Sequence, residues 1–338
     1  MNFSLKIYLD ANSVTSVKWV GKAYYTETHF DNIEISDGMI IISGHRSSPF
    51  DLKKILFNNT STLYFQITKT LAFYYLCSGY SLTITKMELT SDIYPTETET
   101  EFLQPFTRKL ERHQTMSINE LESLFSFQGN DQLFLTCIIY YINAIQNDSF
   151  ENYWKSFNSL YNILEHSGKD FDKLCAVRVF LENHSNHFIN TLTHIAQDTA
   201  ADIRKLRIRE FILNDWPTLN HTQAYANTIQ RFSDVRIISV FDATLPYRID
   251  FLKNQGLDTV VQTHITNCKT HNKTDNIELL CFYVLKYSYF IRNKYFHAEK
   301  ANPYFILKET AEINELHKIS EIFNYFLADF IRCNTLYL

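Results

Sequence analysis

The sequence is poor in glycine and proline, with seven and six of these residues in a chain of 338. It contains no glycine-rich phosphate loop, no HExxH or GxSxG pattern and no paired-carboxylate motif. These absences argue against a nucleotide-driven motor, a zinc protease and an α/β-hydrolase. Aromatic residues are abundant instead, with 27 Phe and 21 Tyr, and we attach no functional role to that excess by itself.

The chain also lacks an excess of basic residues, because 32 Lys and Arg face 37 Asp and Glu for a net charge of −5. No global positive field therefore attracts nucleic acid, although a local basic cleft could still hold a few phosphates. The six cysteines are scattered and include no CxxC pair, which indicates reduced thiols.

Long apolar runs are missing as well. The most apolar stretches are interrupted by Lys, Thr, Asn or Gln well short of the ~20 residues that a membrane span needs. The N-terminus becomes polar too soon after Met1 to be a secretion signal. We therefore expect a cytoplasmic protein with no membrane partner.

Residues 1–112 are expected to form a small α+β domain whose role the sequence does not assign, with a sensor or a regulator as an option. Apolar alternation and short apolar runs predict strands near residues 33–35, 39–42 and 82–87. Between them, the spacing of apolar residues predicts a helix from Thr62 to Cys77, begun by Ser61 and ended by Gly79. The alternating Thr and Glu residues at 96–101 are interpreted as a linker or exposed loop.

Residues 113–338 are expected to form a mainly α-helical bundle, because the apolar period becomes helical from about residue 117. Ser117 and Glu120 fit a capping box. Two helices, from Asp131 to Gln146 and onward from Ser149, are joined by so short a turn that they should pack antiparallel. The second of them carries one continuous stripe of apolar and aromatic residues.

The rest of this region contains a more polar stretch and two long helices. Residues 168–272 are interpreted as a helical insertion in the bundle. A helix from Asp275 to Phe296 is apolar almost all round, which places it in the middle of a bundle. The last helix is predicted from Lys308 to Arg332.

Three residues at the end of the long helix could perform chemistry: Arg292, Asn293 and His297. An imidazole transfers protons near neutral pH, a guanidinium holds a phosphate through paired hydrogen bonds, and an amide can orient either partner. On a regular helix Asn293 and His297 lie about 40° apart, whereas Arg292 lies about 140° from His297. Residues 298–303 indicate that the helix ends there.

The pattern alone is weak evidence, because an arginine followed by a histidine at a similar spacing also occurs at Arg108 with His113 and at Arg178 with His184. About one such match is expected by chance, and the bland interpretation is a solvated polar helix end. The long aromatic-rich helix that ends at His297 favours a functional role for this copy.

The segment from Tyr289 to His297 resembles the hallmark of HEPN domains, which often reads Arg-Asn-x-x-x-His after an apolar helix. Residues 150–161 resemble the first helix of the Apea-like HEPN branch. The resemblance covers about residues 117–338, with 168–272 poorly matched. It implies a helical bundle that forms a homodimer, in which two Arg–His motifs face one cleft.

The resemblance also implies a function, because many HEPN proteins are metal-independent endoribonucleases of toxin or phage-defence systems. Arg292 would then contact the phosphate of an RNA substrate, and His297 would act at the ribose 2′-hydroxyl. Asn293 would be the polar residue that follows the arginine in the family motif. Cleavage would leave a 2′,3′-cyclic phosphate, without a metal or cofactor. A phage-derived trigger or an antitoxin would be a further partner.

Two residues depart from the family pattern, and one alternative stays open. Asn158 stands where the first helix often has an acidic residue, and Glu299 stands where one branch has a tyrosine that receives a nucleotide. The alternative to a nuclease is a non-catalytic HEPN-like module that binds RNA, a nucleotide or a protein.

Further basic residues are candidate RNA ligands. Lys294 lies within the motif, and Arg204 and Arg207 share a helix face in the densest basic run, although such a run is more often a solvated face. His264, Cys268 and His271 have loose metal-ligand spacing, and we interpret them as incidental donors rather than a zinc site.

Overall fold

The structure is a computed structural model that describes residues 1–10, 17–104, 106–127, 129–296, 308 and 310–338. The chain divides into two compact units. The first consists of Met1–Lys169 together with Leu327–Leu338, and the second is Asp170–Phe326. An antiparallel sheet lies in the first unit, and the chain after it is mostly helical, which confirms the predicted order of an α+β region followed by helices.

The sheet has six strands among the described residues, in the order β2-β3-β4-β1-β5-β6. The strands are β1 (Asn2–Leu9), β2 (Trp19–Tyr24), β3 (Phe30–Ser36), β4 (Met39–His45), β5 (Ile84–Ser91) and β6 (Glu97–Glu99). The register pairs Leu5 with Ile42 and Ile7 with Ile40, so apolar side chains meet on one face. Alternate residues of these strands are buried because successive side chains point to opposite faces.

Strand β6 corrects the interpretation of residues 96–101 as a linker. Glu97 pairs with Leu89 and Glu99 with Met87, so the Thr-Glu alternation forms the edge of the sheet. Charged side chains are common on edge strands because they discourage pairing with another chain. The Glu97 carboxylate also accepts a hydrogen bond from the Leu52 backbone amide at 2.7 Å, at the start of a short helix.

Among the described residues, five α-helices belong to the first unit in full. They are α1 (Leu52–Phe57), α2 (Thr62–Ser78), α3 (Ile118–Leu121), α4 (Asp131–Asn147) and α5 (Phe150–Leu164). The predicted ends of α2 are confirmed, since the Ser61 hydroxyl accepts from the Tyr64 amide and Gly79 has a left-handed φ of 73°. The predicted capping box of Ser117 and Glu120 is also present. Helix α5 is capped by the Ser149 hydroxyl, which accepts a hydrogen bond from the Asn152 amide.

The sequence suggested a domain boundary near residue 112, whereas the first unit continues to Lys169. Packing of aromatic side chains explains this difference. The Trp19 indole stacks on Phe125 with ring centroids 4.4 Å apart and donates a hydrogen bond to Glu122 at 3.0 Å. Gln146 of α4 donates to the Tyr75 hydroxyl of α2 at 2.6 Å. Helix α4 and the segment that follows α3 therefore share a core with the sheet and with α2.

Every regular element of the second unit that the structure describes is a helix. Its helices are α6 (Asp170–Asn183), α7 (Ile189–Ile195), α8 (Ala200–Arg204), α9 (Ile208–Asp215), α10 (Thr222–Arg231), α11 (Val235–Thr244), α12 (Ile249–Asn254), α13 (Asp258–His271), α14 (Asn276–Cys281) and α15 (Ser288–Phe296). The last helix, α16, spans Ala311–Arg332 and contributes its residues up to Phe326 to this unit.

The predicted long helix from Asp275 to Phe296 is present, with one irregular stretch. Asp275 caps α14 by accepting from the backbone amides of Ile277 and Glu278. Between α14 and α15 the residues Phe282–Tyr287 form a π-helical segment, which sequence periodicity does not reveal. Such segments are rare and often lie near functional sites. The segment is buried at Phe282, Tyr283, Val284 and Tyr287.

Candidate active site

The candidate site begins with the position of Arg292 in the last two turns of α15. Phe290 and Ile291, just before it, are almost fully buried, so the helix is held by apolar packing up to that point. Phe290 lies 5.6 Å from Phe211 of α9 between ring centroids. The backbone that carries Arg292 is therefore fixed by the core of the second unit.

Arg292 and Asn293 are half-buried and lie in direct contact. Nη1 of Arg292 donates a hydrogen bond of 2.9 Å to Oδ1 of Asn293. The guanidinium carbon also lies 5.7 Å from the centre of the Tyr289 ring, one helical turn earlier. Asn293 and Tyr289 therefore orient this guanidinium, and a guanidinium is a group that can bind a phosphate through paired hydrogen bonds.

His297 lies outside the described residues, as do residues 298–303, where we predict the end of the helix. Helix α15 is described to Phe296. The distance from the imidazole to Arg292 and the pairing of two such motifs therefore stay predictions.

Tyr295 lies between Arg292 and His297 in the sequence and is half-buried. Burial raises the pKa of its phenol to about 12. The phenol therefore keeps its proton at neutral pH, where it can donate or accept a hydrogen bond.

Arg207, a predicted RNA ligand, has an internal position. Nε of its guanidinium donates a hydrogen bond of 2.8 Å to Oε2 of Glu315 in α16. Nη1 donates a hydrogen bond of 2.9 Å to Oε2 of Glu210 in α9. Its side chain is 12% exposed and that of Glu315 is not exposed at all. The hydroxyl of Tyr287 donates to the same Glu315 carboxylate. This cluster connects the π-helical segment to the first turns of α16 and favours a structural role for Arg207.

Arg204 and Arg207 do not share one helix, which corrects the predicted common face. Helix α8 has five residues, begins with a capping box of Thr199 and Asp202 and ends at Arg204, whereas α9 begins at Ile208. Arg204 is exposed, and its Nε donates to the backbone carbonyl of Ala200 at 3.1 Å. Lys294 is half-buried in the last turn of α15.

The histidine and cysteine residues of α13 make local contacts. The ring of His264 lies 2.9 Å from the backbone oxygen of Phe232, and His271 bonds to the carbonyl of Asn267 within its own helix. The part of the chain that the structure describes contains no group of three His, Cys, Asp or Glu side chains placed to hold a metal ion. All six cysteines are free thiols.

A second polar group in this unit was not singled out from the sequence. Asp198 accepts hydrogen bonds from the Tyr283 hydroxyl and the Lys318 ammonium group, both at 2.9 Å. Near it, the His194 ring stacks on Tyr325 with centroids 4.2 Å apart. Tyr283, Lys318 and Tyr325 are far from Asp198 in the sequence, so no local spacing could have indicated that these side chains meet.

Searches with this chain against protein-family models, curated proteins and solved structures give no match. Within the described residues, none of the helices has both the length and the apolar character needed to cross a bilayer.

Proposed function

We propose that this chain is a metal-independent endoribonuclease of the HEPN type. Arg292, Asn293 and His297 form the active site, and RNA is the substrate. The proposal includes a cytoplasmic location and a role in phage defence or as a toxin, with a phage-derived trigger or an antitoxin as regulator.

The observation that carries the proposal is the hydrogen bond between Arg292 and Asn293 at the end of a helix fixed by apolar packing. A phosphate-binding guanidinium lowers a reaction barrier most when it is oriented in advance. Asn293 and Tyr289 provide that orientation, and both are positions of the segment that resembles HEPN domains. His297 follows one helical turn later in the sequence.

In the proposed reaction, His297 accepts the proton of the ribose 2′-hydroxyl, and the resulting oxygen attacks the adjacent phosphorus. Arg292 stabilises the negative charge on the five-coordinate phosphate by donating two hydrogen bonds. The 5′-oxygen leaves with a proton, and a 2′,3′-cyclic phosphate remains. In a homodimer, the second copy of His297 donates that proton.

Two further residues would contact the RNA backbone. Lys294 lies in the same helical turn as Arg292, and the exposed Arg204 ends helix α8. Arg207 is left out of this role, because its guanidinium already holds the buried Glu315.

The test is cleavage of a labelled RNA by the full chain and its His297→Ala variant, each measured with and without EDTA. We expect the variant to be slower by about 10²- to 10⁴-fold, the usual contribution of a general acid or base. His271→Ala is the matched control, since His271 is an exposed residue that bonds within its own helix. It should keep full activity.

Three results would contradict the proposal. Equal cleavage by the wild type and His297→Ala would exclude the imidazole as the proton-transfer group. Loss of wild-type cleavage in EDTA would indicate a metal-dependent nuclease. RNA binding without cleavage that is lost in Arg292→Ala would support the non-catalytic module instead.

A further inference from the structure

A cleft of about 240 Å³ opens in the first unit, where helix α2 faces the end of strand β2 and the start of helix α4. Six residues of its lining carry the argument: Tyr24, Tyr25, Phe65, Gln66, Lys69 and Asp131. The volume is below the usual range for drug-sized ligands, so the cleft suits a small molecule.

Lys69 contributes a buried cation to this cleft. The residue is 6% exposed, and its Nζ lies 3.4 Å from the backbone oxygen of Tyr24. Burial lowers the pKa of the ammonium group, and the carboxylate of Asp131 opposes that effect. A buried ammonium group with one long hydrogen bond to a neutral oxygen is costly, and a bound anion would offset that cost.

Gln66 contributes a buried acceptor one helical turn before Lys69. Its Nε2 donates to the backbone oxygen of Ala23 at 2.7 Å, which fixes the orientation of the amide. The residue is fully buried, and Oε1 accepts no hydrogen bond from any residue that the structure describes. Buried acceptors are rarely left unpaired, so the group is suited to a ligand that donates an N–H.

Aromatic rings form much of the remaining wall. Tyr24, Tyr25 and Phe65 are half-buried and offer ring faces or edges to the cleft. Tyr25 is held from behind by Arg46, whose guanidinium carbon lies 4.6 Å from the centre of the ring. Rigid aromatic side chains are typical walls for planar ligands.

We propose that this cleft binds a small planar aromatic anion. The ring of the ligand packs against Tyr24, Tyr25 and Phe65, an N–H of the ring donates to Oε1 of Gln66, and the anionic group bonds to the ammonium group of Lys69. Positions i and i+3 of a helix are about 5–6 Å apart between β-carbons. That separation suits one bicyclic ring with an N–H at one end and an acidic group at the other.

Two sources share this chemistry, an oxidised purine and an indole carboxylate. The two arms of the experiment are calorimetric titrations of the full chain with urate and with indole-3-acetate, both of which are small bicyclic anions that carry a ring N–H. We expect one arm to bind with an affinity in the micromolar to millimolar range. No binding in either arm at millimolar concentration overturns the proposal.

The variant Lys69→Met tests the role of the cation. Replacing a buried charge by an apolar side chain of similar length is often neutral or stabilising, so the fold should persist. We expect binding to weaken by about tenfold or more, as for loss of a charge-assisted hydrogen bond. The same substitution at the exposed Lys53 is the control and should leave affinity unchanged.

A second variant tests the ring wall independently. Phe65→Ala removes a half-buried ring and should weaken binding by about tenfold through loss of stacking. Unchanged binding in both Lys69→Met and Phe65→Ala overturns the proposed site. His297→Ala should bind as the wild type does, which separates this proposal from the nuclease.

Discussion

The carboxylate of Asp31 fills the space beside Gly44 that a β-carbon would occupy. Asp31 is fully buried on β3 and receives two hydrogen bonds of 2.6 Å from the guanidinium of Arg46. Because Gly44 on the neighbouring strand β4 has no β-carbon, the Asp31 carboxylate has room to lie beside it and pair with Arg46. Because Arg46 also packs behind Tyr25, this pair supports one wall of the cleft.

We expect Gly44→Ala to destabilise the protein by about 1–3 kcal/mol, because the added methyl group must displace the buried carboxylate. The measurement is the free energy of unfolding from urea titration. Gly168→Ala is the matched control, since a β-carbon there would meet no described atom within 4 Å. If Gly44→Ala lowers the free energy of unfolding by no more than Gly168→Ala does, the Asp31 carboxylate does not require glycine at position 44.

The pair of Arg207 and Glu315 gives a second prediction. Arg207→Met leaves the fully buried Glu315 carboxylate without its cation and should cost about 3–5 kcal/mol in the free energy of unfolding. Arg207→Met combined with Glu315→Gln should recover part of that loss. Lys205→Met removes an exposed pair with Asp202 and should cost less than about 1 kcal/mol.

This experiment also decides between two roles for Arg207. If Arg207→Met lowers RNA affinity and leaves the free energy of unfolding unchanged, the residue is an RNA ligand, as the sequence suggested, and the structural role is excluded.

Asn293 is expected to act as a positioning residue through its hydrogen bond to Arg292. Asn293→Ala should lower kcat for RNA cleavage by about ten- to hundredfold, the range for loss of a hydrogen bond to a charged group, with a smaller effect on KM. Asn293→Gln keeps an amide acceptor and should restore part of the rate. Equal rates for the wild type and Asn293→Ala would show that Arg292 needs no such orientation.

The pH dependence of stability should include a contribution from His194. Burial lowers the pKa of this imidazole from its ordinary value of 6.5, and the carboxylate of Glu321 opposes the shift. The unfolded chain therefore binds a proton more readily than the folded protein does. The free energy of unfolding should fall as the pH drops below about 6.5 toward the lower pKa of the folded state.

The variant His194→Phe keeps a ring against Tyr325 and removes the titrating group. Urea titrations between about pH 7 and pH 5 should show a weaker pH dependence for this variant than for the wild type. His271→Phe replaces an exposed ring and serves as the control. A wild-type pH dependence that His194→Phe leaves unaltered would rule out this contribution.

The sequence by itself determined the elements whose information is local. Three features were predicted from residues within a few positions of one another. They are the cap and end of α2, the capping box at Ser117 and the apolar stripe of α5. The predicted motif of Arg292 and Asn293 also lies in the last helical turns of α15. Helical spacing and side-chain caps are readable without knowledge of the tertiary fold.

Only the tertiary structure decided what depends on distant partners. Strand β6 forms because residues 97–99 pair with the edge of strand β5. The π-helical segment lies within a buried core, and the spacing of apolar residues in the sequence does not predict it. The same holds for Arg207, whose partner Glu315 is more than a hundred residues away in sequence. Burial and pairing of polar groups are set by which segments meet in space, and that information is spread over the whole chain.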